Sequence, residues 1–398
     1  MKILHTVIDW WLSEAAIKMF KSLPVENEFV FLAYEGWAEK INFKVLKSVD
    51  DVKIIEIGSP AYHDLLRPGR FDLLWIHGLY ESGALLAHDL PDDVKVMWTS
   101  WGFDYLRFDV QWLYAPRTLL HWLKTTPMRV ILKCLIQWSL NKVGLLKLAY
   151  RIFRKRNLFF NFFKRVDYFS TVVPTEEPLI RRVLGNRAVR LNFHCTAPSS
   201  VKIEYPVVDL NSKKMLIGHQ ADITCNHYDI LAKIPKSRWE IWAPLSYSIS
   251  GLKETENARS VIEYGKRRFG ERFHPIVTFM PFPEYLTFIS SCSVFVFNNY
   301  RQQAVGNVTM ALQCGGCVFM SPLNPVYQYY IAHGIIIYPI SRMKEGLDNI
   351  VKEFMPFQMK NIMIVTELRN HEKLLHEIRD TVRYLERETG KGTPEAES

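Results

Sequence analysis

Short apolar runs alternate with helix-length amphipathic segments along most of the chain, and this alternation constrains the fold more than any other feature. Lys2–Ile8 reads as a buried strand, Ser13–Ser22 as a helix and Glu28–Ala33 as a second strand. Val52–Ile57, Leu73–His77 and Val94–Trp98 follow at helix-length intervals. Strands separated by helices imply a parallel sheet covered on both faces. A further strand over Tyr168–Val173 precedes a helix opened by Thr175-Glu176-Glu177, where Thr175 is expected to cap and the two acids suit the dipole. After a polar stretch from about Ala197 to Lys213, a second series begins: Met215–Gly218, Trp239–Trp242, Ile276–Phe279, Val294–Phe297, Cys317–Met320 and Ile335–Tyr338. The expectation is an α/β chain with two Rossmann-like doubly wound domains facing a cleft. Residues 1–200 form the first, 201–213 the linker, 214–385 the second and 386–398 a polar tail.

A chain of 398 residues, 48% hydrophobic and 23% charged, has material for two cores and is not a disordered or fibrous polymer. Its six Cys (134, 195, 225, 292, 314 and 317) are scattered, which fits a reducing compartment better than a disulfide framework. The net charge of +9 is concentrated in one place. Residues 110–166 carry 12 Lys or Arg and no Asp or Glu, so the rest of the chain is slightly acidic. Interleaved with those cations are Trp112, Trp122, Trp138, Tyr150, Phe153, Phe159, Phe160, Phe162 and Phe163. Basic helices with aromatic anchors suit an anionic membrane surface. Nucleic acid would attract the same charges, but runs such as FFNFF favour lipid; a solvated face over the core is the third reading. The segment is therefore expected to be a basic helical insertion in the first domain that binds a membrane surface. The most apolar stretch, Ile131–Tyr150, is interrupted by Lys133, Asn141, Lys142 and Lys147, and the opening MKILHTVIDWW lacks a signal-peptide pattern. Peripheral attachment follows as the expectation.

In doubly wound sheets, ligands bind beyond the carboxyl ends of the strands, so chemistry is sought there. Tyr300-Arg301-Gln302-Gln303-Ala304-Val305-Gly306-Asn307 follows the strand Val294–Phe297 and leads into a helix expected over Val308–Gln313. A guanidinium, two amides and a helix start together make an anion site, against the duller reading of a capped loop. Gly218-His219-Gln220-Ala221-Asp222 ends the second series' first strand, where Gly permits close approach to a diphosphate or sugar. Pro244 to Tyr247 ends the next strand. Trp98-Thr99-Ser100-Trp101-Gly102-Phe103-Asp104-Tyr105 offers aromatic faces and a carboxylate for a sugar ring, or a core with a capping Asp. No GxGxxG follows the first strand, no GxxxxGK[ST] occurs, and no Asp-x-Asp pair is available to cage a metal-bound diphosphate. Cys314-Gly315-Gly316-Cys317 lacks the second pair a zinc site needs and reads as a helix end turning into a strand. No cofactor or metal is expected; charge on a departing diphosphate would be met by Arg301 and helix termini.

The ordered series His5…Asp9, Ile76-His77-Gly78, Trp98…Trp101-Gly102-Phe103-Asp104, Ile217-Gly218…Asp222, Leu245-Ser246-Tyr247 and Arg301-Gln302-Gln303…Gly306-Asn307 resembles the 4-acetamido-4,6-dideoxygalactose (Fuc4NAc) transferases of glycosyltransferase family 56. The resemblance runs from about residue 3 to 340, and Arg-Gln-Gln-x-x-Gly is its most specific element. It departs at Gly218-His219-Gln220-Ala221-Asp222, where the family has Gly-Asn-Ser-Gly-Asp, and in the longer 110–166 segment. The resemblance implies a GT-B architecture and transfer of Fuc4NAc from a dTDP-sugar to a polyprenyl-diphosphate-linked saccharide, in enterobacterial common antigen synthesis at the cytoplasmic face of the inner membrane. On this reading Gly218, His219, Gln220, Asp222, Pro244, Tyr247, Arg301, Gln302, Gln303, Gly306 and Asn307 bind the donor. Gly78, Trp101 and Gly102 meet the acceptor, and Asp9, His77 or Asp104 is the base. The competing class is a non-catalytic lipid- or nucleic-acid-binding protein on a degenerate transferase scaffold.

Overall fold

In a computed structural model of the chain, residues 1–9, 11–43, 45–46, 51–105, 113–132, 154–193, 203–235, 238–246 and 256–391 are described. They fall into two compact units, each built around one parallel sheet.

The first unit holds β1 (Lys2–Thr6), β2 (Glu26–Ala33), β3 (Val52–Glu56), β4 (Leu73–His77), β5 (Lys95–Ser100), β6 (Tyr168–Thr171) and β7 (Val189–Arg190). Their spatial order is β3-β2-β1-β4-β5-β6-β7. β1 lies between β2 and β4, with Thr6 opposite Val30 on one side and Ile76 on the other. Every residue of β4 is buried, as expected for a central strand covered on both faces. One face carries Leu4, Val30, Leu74, Ile76 and Trp98 with the helix Glu81–Asp89; the other carries Ile3, Phe20, Phe29, Trp75 and Met97.

The second unit holds β8 (Lys214–Ile217), β9 (Glu240–Pro244), β10 (Phe273–Ile276), β11 (Val294–Phe297), β12 (Cys317–Met320) and β13 (Tyr338–Pro339), in the order β10-β9-β8-β11-β12-β13. The reversal between β8 and β11 repeats the one between β1 and β4. Each sheet therefore has a switch point where a ligand can approach strand ends.

The expected fold class is what the structure has. Leu73–His77, Val294–Phe297 and Cys317–Met320 match to the residue, and Gly315-Gly316 makes the expected turn into β12. Four local expectations shift, one being the last strand, expected at Ile335–Tyr338 and found at Tyr338–Pro339. The strand expected at Ile276–Phe279 lies at Phe273–Ile276, because its apolar continuation Val277–Phe279 runs into an exposed loop. Thr175 does not cap the helix Glu177–Leu184; it sits inside a single 3-10 turn, Pro174–Glu176. The helix expected over Val308–Gln313 begins at Val305, so Gly306 and Asn307 belong to its first turn.

The units are also discontinuous, unlike the contiguous 1–200 and 214–385 expected. Residues 111–133 group with the second unit and 371–398 with the first. In the first case, Asp229 caps the helix Pro116–Thr125: its carboxylate accepts from Arg117 N (3.1 Å), Thr118 N (2.8 Å) and Thr118 Oγ1 (2.9 Å). Asn226 Oδ1 accepts from Ala115 N at 2.8 Å just ahead of it. In the second, the helix His371–Glu388 buries Ile378, Val382 and Leu385 against Ile3, Phe20 and Trp75. Val208 and Leu210, within the expected linker, are buried, and Val208 N donates to Cys314 O at 2.9 Å.

The basic segment divides accordingly. The helix Arg154–Arg165 sends Phe159, Phe162 and Phe163 into the first unit's core against Trp98, so these three are not surface anchors. Arg165 donates to Pro91 O and Val94 O and holds a chain turn. Trp112, Trp138, Tyr150 and Phe153 lie outside the described residues, as does the polar end beyond 391.

Candidate functional site

In the second unit, β8 delivers Gly218 to the switch point in a left-handed conformation, φ +66°. A Cβ there would lie 2.4 Å from His227 Nε2, so only glycine allows the ring of His227 to rest against the chain. Asp222 then closes a short turn, its Oδ1 accepting from Thr224 N (2.8 Å) and Thr224 Oγ1 (2.6 Å). The Asn226 side chain, at φ +54°, donates to Asn298 O at 2.8 Å and so ties this turn to the end of β11.

From β11 the chain continues through Asn298, Asn299, Arg301, Gln302 and Gln303, all buried. Gln303 Oε1 accepts from Asn299 Nδ2 (3.1 Å), whose other donation, to Thr224 O (3.1 Å), fixes the orientation of both amides. Several buried polar atoms are then left with no hydrogen-bond partner: Gln303 Nε2, Asn299 Oδ1, Asn298 Nδ2 and both ring nitrogens of His227. An unsatisfied buried polar atom costs about 1–3 kcal/mol, so a cluster at strand ends marks a place shaped for polar company.

The helix Val305–Gln313 starts beside them. Ala304 precedes it at φ +64°, no side chain caps it, and the amides of its first turn have no place in the helical ladder. At Gly306 a Cβ would meet open space, and Asn307 Oδ1 accepts from Tyr285 OH at 2.7 Å. Arg301 is only 8% exposed, and its Nη1 donates to Gln302 O at 3.2 Å. Burial, then the Arg301 charge, then His227 hold His219 near pKa 3, so that ring is neutral. Burial likewise lowers His227 to about 4. One guanidinium, an uncapped helix start and neutral polar rings, with the Asp222 carboxylate turned to Thr224, form a strand-end cluster suited to an oxyanion.

The donor residues read from sequence thus gather in one unit: Gly218, His219, Gln220, Asp222, Arg301, Gln302, Gln303, Gly306 and Asn307. Pro244 ends β9, buried in register with Ile276. Tyr247 lies outside the described residues. His227 and Asn226 were missed. Their only sequence signal is position, a few residues past a strand-end glycine at the start of the helix His227–Lys233. Replacing Gly218 with Ala should lower the melting temperature of this unit by several degrees, since the left-handed backbone alone costs about 1–3 kcal/mol. Adding His227→Ala should recover part of that loss; calorimetry of the single and double variants checks it.

In the first unit, the three candidate bases differ sharply. Asp104 is fully buried, and its carboxylate accepts from Ser100 Oγ (2.8 Å), Leu79 N (3.1 Å), Trp98 Nε1 (3.1 Å) and Trp101 N (3.2 Å). Burial raises its pKa against the pull of those donors. It pins the turns after β4 and β5 and has no face left for a substrate, which removes it from the candidates. His77 is also fully buried, stacked on His5 and Trp75. Asn27 Nδ2 donates to Phe20 O and Val25 O, so its Oδ1 accepts from His5 Nε2 (2.9 Å). His5 Nδ1 then accepts from His77 Nε2 (3.1 Å), and His77 Nδ1 is left bare. Burial, then His5, hold His77 well below the ordinary histidine pKa. Asp9 is half-buried just past β1, its Oδ1 accepting from Val45 N and Leu46 N, each at 2.9 Å. Gly78 (φ +77°) and Gly102 (φ +82°) frame Trp101, whose ring would touch a Cβ on Gly78 at 2.8 Å.

No family model and no curated protein matches the chain. Solved structures do. A sucrose-phosphate synthase from Thermosynechococcus elongatus is similar with a TM-score of 0.65 at 12% identity, over 97% of this chain and 99% of that one. The chain has the GT-B fold. Anabaena HepE, solved with UDP and glucose, matches with a TM-score of 0.60 at 10% identity over 96% of this chain and 99% of that one. A glycosyltransferase from Rickettsia africae gives 0.57 at 10% identity over 98% and 99%.

Proposed function

We propose that the chain is a nucleotide-sugar-dependent glycosyltransferase. The observation that carries this reading is the grouping, at the β8–β11 switch point, of Arg301, the uncapped start of Val305–Gln313 and the unpartnered buried atoms of Gln303, Asn299 and His227. A nucleoside diphosphate offers acceptor oxygens to the guanidinium, the helix amides and the Gln303 amide, and ribose hydroxyls as donors. The GT-B fold and the UDP bound in HepE support the assignment.

The chemistry asked of the site is modest. An acceptor hydroxyl attacks the anomeric carbon, the bond from that carbon to the diphosphate oxygen breaks, and the diphosphate leaves with the electron pair. Arg301 and the helix amides meet the charge that develops on the leaving oxygen, in a setting where water screens it little. The hydroxyl proton passes to a base. With Asp104 saturated and His77 sealed in the core, Asp9 is the candidate that remains, its Oδ1 held in place by two backbone donors.

We assign the donor more finely, on the Arg-Gln-Gln-x-x-Gly resemblance, as a dTDP-linked deoxyamino sugar of the Fuc4NAc kind, and the acceptor as a polyprenyl-diphosphate-linked saccharide. Thermal-shift titration with dTDP and UDP tests the site directly. Ligand at a hundred times its Kd stabilises by about 2.7 kcal/mol, so a clear rise is expected, larger for dTDP. No rise with either nucleotide would sink the reading.

A lipid-linked acceptor requires a route to the membrane, placed by this reading at the cytoplasmic face of a bacterial inner membrane. Among the described residues no helix is long and apolar enough to cross one. The stretch from Pro116 to Leu132 instead exposes Leu120 (57%), Leu123, Met128 (67%), Val130 and Leu132 beside Arg117, Lys124 and Arg129. Cations near an anionic surface contribute about 1 kcal/mol each, and exposed leucines add insertion. Sedimentation with phosphatidylglycerol vesicles should show binding that weakens with salt and falls at least tenfold in Leu120→Asp/Leu132→Asp. Equal binding to neutral vesicles would contradict the electrostatic part.

A further inference from the structure

We propose that Tyr34, Trp37, Tyr80 and Phe103 form a stacking platform for a sugar ring of the acceptor, arranged around Asp9 at the carboxyl edge of the first unit's sheet. This rests on the glycosyltransferase reading and adds to it an acceptor subsite on residues with no other role assigned.

The sheet order brings the loops that carry these residues to one edge of the unit. β2, β1, β4 and β5 lie side by side, and each contributes the residues just past its carboxyl end. Tyr34 follows β2, Asp9 follows β1, Tyr80 follows β4 and Phe103 follows β5. The rings of Tyr80 and Phe103 are 5.5 Å apart, tilted by 57°. Burial, then the Glu81 carboxylate, raise the Tyr34 phenol above its ordinary pKa. Trp37 closes the turn after Tyr34, its N donating to Tyr34 O at 3.0 Å, and Lys40 Nζ lies 6.0 Å from its ring.

These rings are open to solvent: Trp37 by 63%, Tyr34 by 49% and Tyr80 by 40%. The same unit buries Trp75, Trp98 and Tyr105 almost completely, so it does not lack room for aromatics inside. Saccharides present C–H faces that pack on aromatic rings and hydroxyls that donate to carboxylates. The platform supplies the first, and Asp9 and Glu81 the second. A lipid anchor would call for cations and aliphatic side chains, as on Pro116–Leu132; here the single cation Lys40 is outnumbered by the carboxylates Asp9, Glu39 and Glu81, which an anionic bilayer repels. A saccharide is the occupant that this mixture fits.

The test uses the full chain and saturation-transfer difference NMR, with N,N′-diacetylchitobiose and N-acetylmannosamine as probes. Wild type should show saturable binding. Trp37→Ala and Tyr34→Ala should each weaken it about tenfold, whereas Trp37→Phe and Tyr34→Phe, which keep a stacking face, should stay within about threefold. The dTDP or UDP thermal shift should be unmoved in all four variants. Failure of that shift in wild type tells against the donor site, while the NMR result speaks to the platform alone. The platform is overturned if wild type binds neither probe, if the Ala variants bind like wild type, or if the Phe variants fall as far as the Ala ones. Loss of vesicle binding in Trp37→Ala with saccharide binding intact overturns it in favour of a membrane anchor.

Discussion

Replacing Arg301 with Ala is expected to lower kcat about 10²–10³-fold, the loss that follows removal of one preorganised donor from a developing oxyanion. The size of the effect comes from the setting. Arg301 is buried beside His219 and His227, both held neutral by burial, so no second cation in that cluster can take over its charge. Arg301→Lys should recover only part of the rate, because an ammonium offers a point charge without the paired donors that match a diphosphate. The free protein's melting temperature should change much less than the rate, since a buried guanidinium also carries a desolvation cost that its removal relieves. Steady-state kinetics and a nucleotide-free melt decide the matter. A variant that turns over normally would remove the diphosphate assignment.

Acid should weaken both units well before ordinary carboxylates titrate. His5 is lowered to about 3, His77 well below its ordinary value, His219 to about 3 and His227 to about 4, in each case chiefly by burial. In the unfolded chain these rings take up protons near pH 6.5, while the folded chain keeps them neutral. The sign follows: the stability they contribute is fully present above about pH 6.5 and is lost as pH falls toward the folded values. Each ring contributes a slope of up to about 1.4 kcal/mol per pH unit, so two per unit give about 2.7 kcal/mol between pH 6.5 and 5.5 at most. Asp104 acts in the opposite direction, because its raised pKa makes the folded state bind its proton more tightly, but only nearer the carboxylate range. Urea unfolding at pH 7.5, 6.5 and 5.5 measures this. A flat profile would mean that the rings are hydrated rather than sealed.

Much of the framework was legible because burial on both faces leaves a simple mark. β4, β11 and β12 are fully buried and read as unbroken apolar runs. Where an apolar run and burial part company, the reading slipped: Val277 and Phe279 are exposed, and β10 hides behind His274-Pro275. The strand-end cluster at the β8–β11 switch point was legible because most of its parts are consecutive, from Arg301 to Asn307. His227 was not, because its meaning depends on a glycine nine residues earlier that only folding brings against it. Asp104 shows the reverse failure, since a carboxylate in an aromatic loop looks the same in sequence whether it meets a substrate or four donors from its own turns. The same ambiguity split the basic segment: Phe159, Phe162 and Phe163 read as anchors, yet a helix with one apolar face looks alike over lipid and over Trp98.

The helix His371–Glu388 has a consequence for biogenesis. Because Ile378, Val382 and Leu385 complete the layer beneath Ile3 and Trp75, a ribosome must release nearly the whole polypeptide before the earliest-made strands acquire their last partner. Until then Phe20 and its neighbours present an oily seam to solvent, where a chaperone or a protease would find them. A nonsense mutation near codon 370 would therefore leave the upstream half as a client of quality control, although every strand of its sheet had been translated.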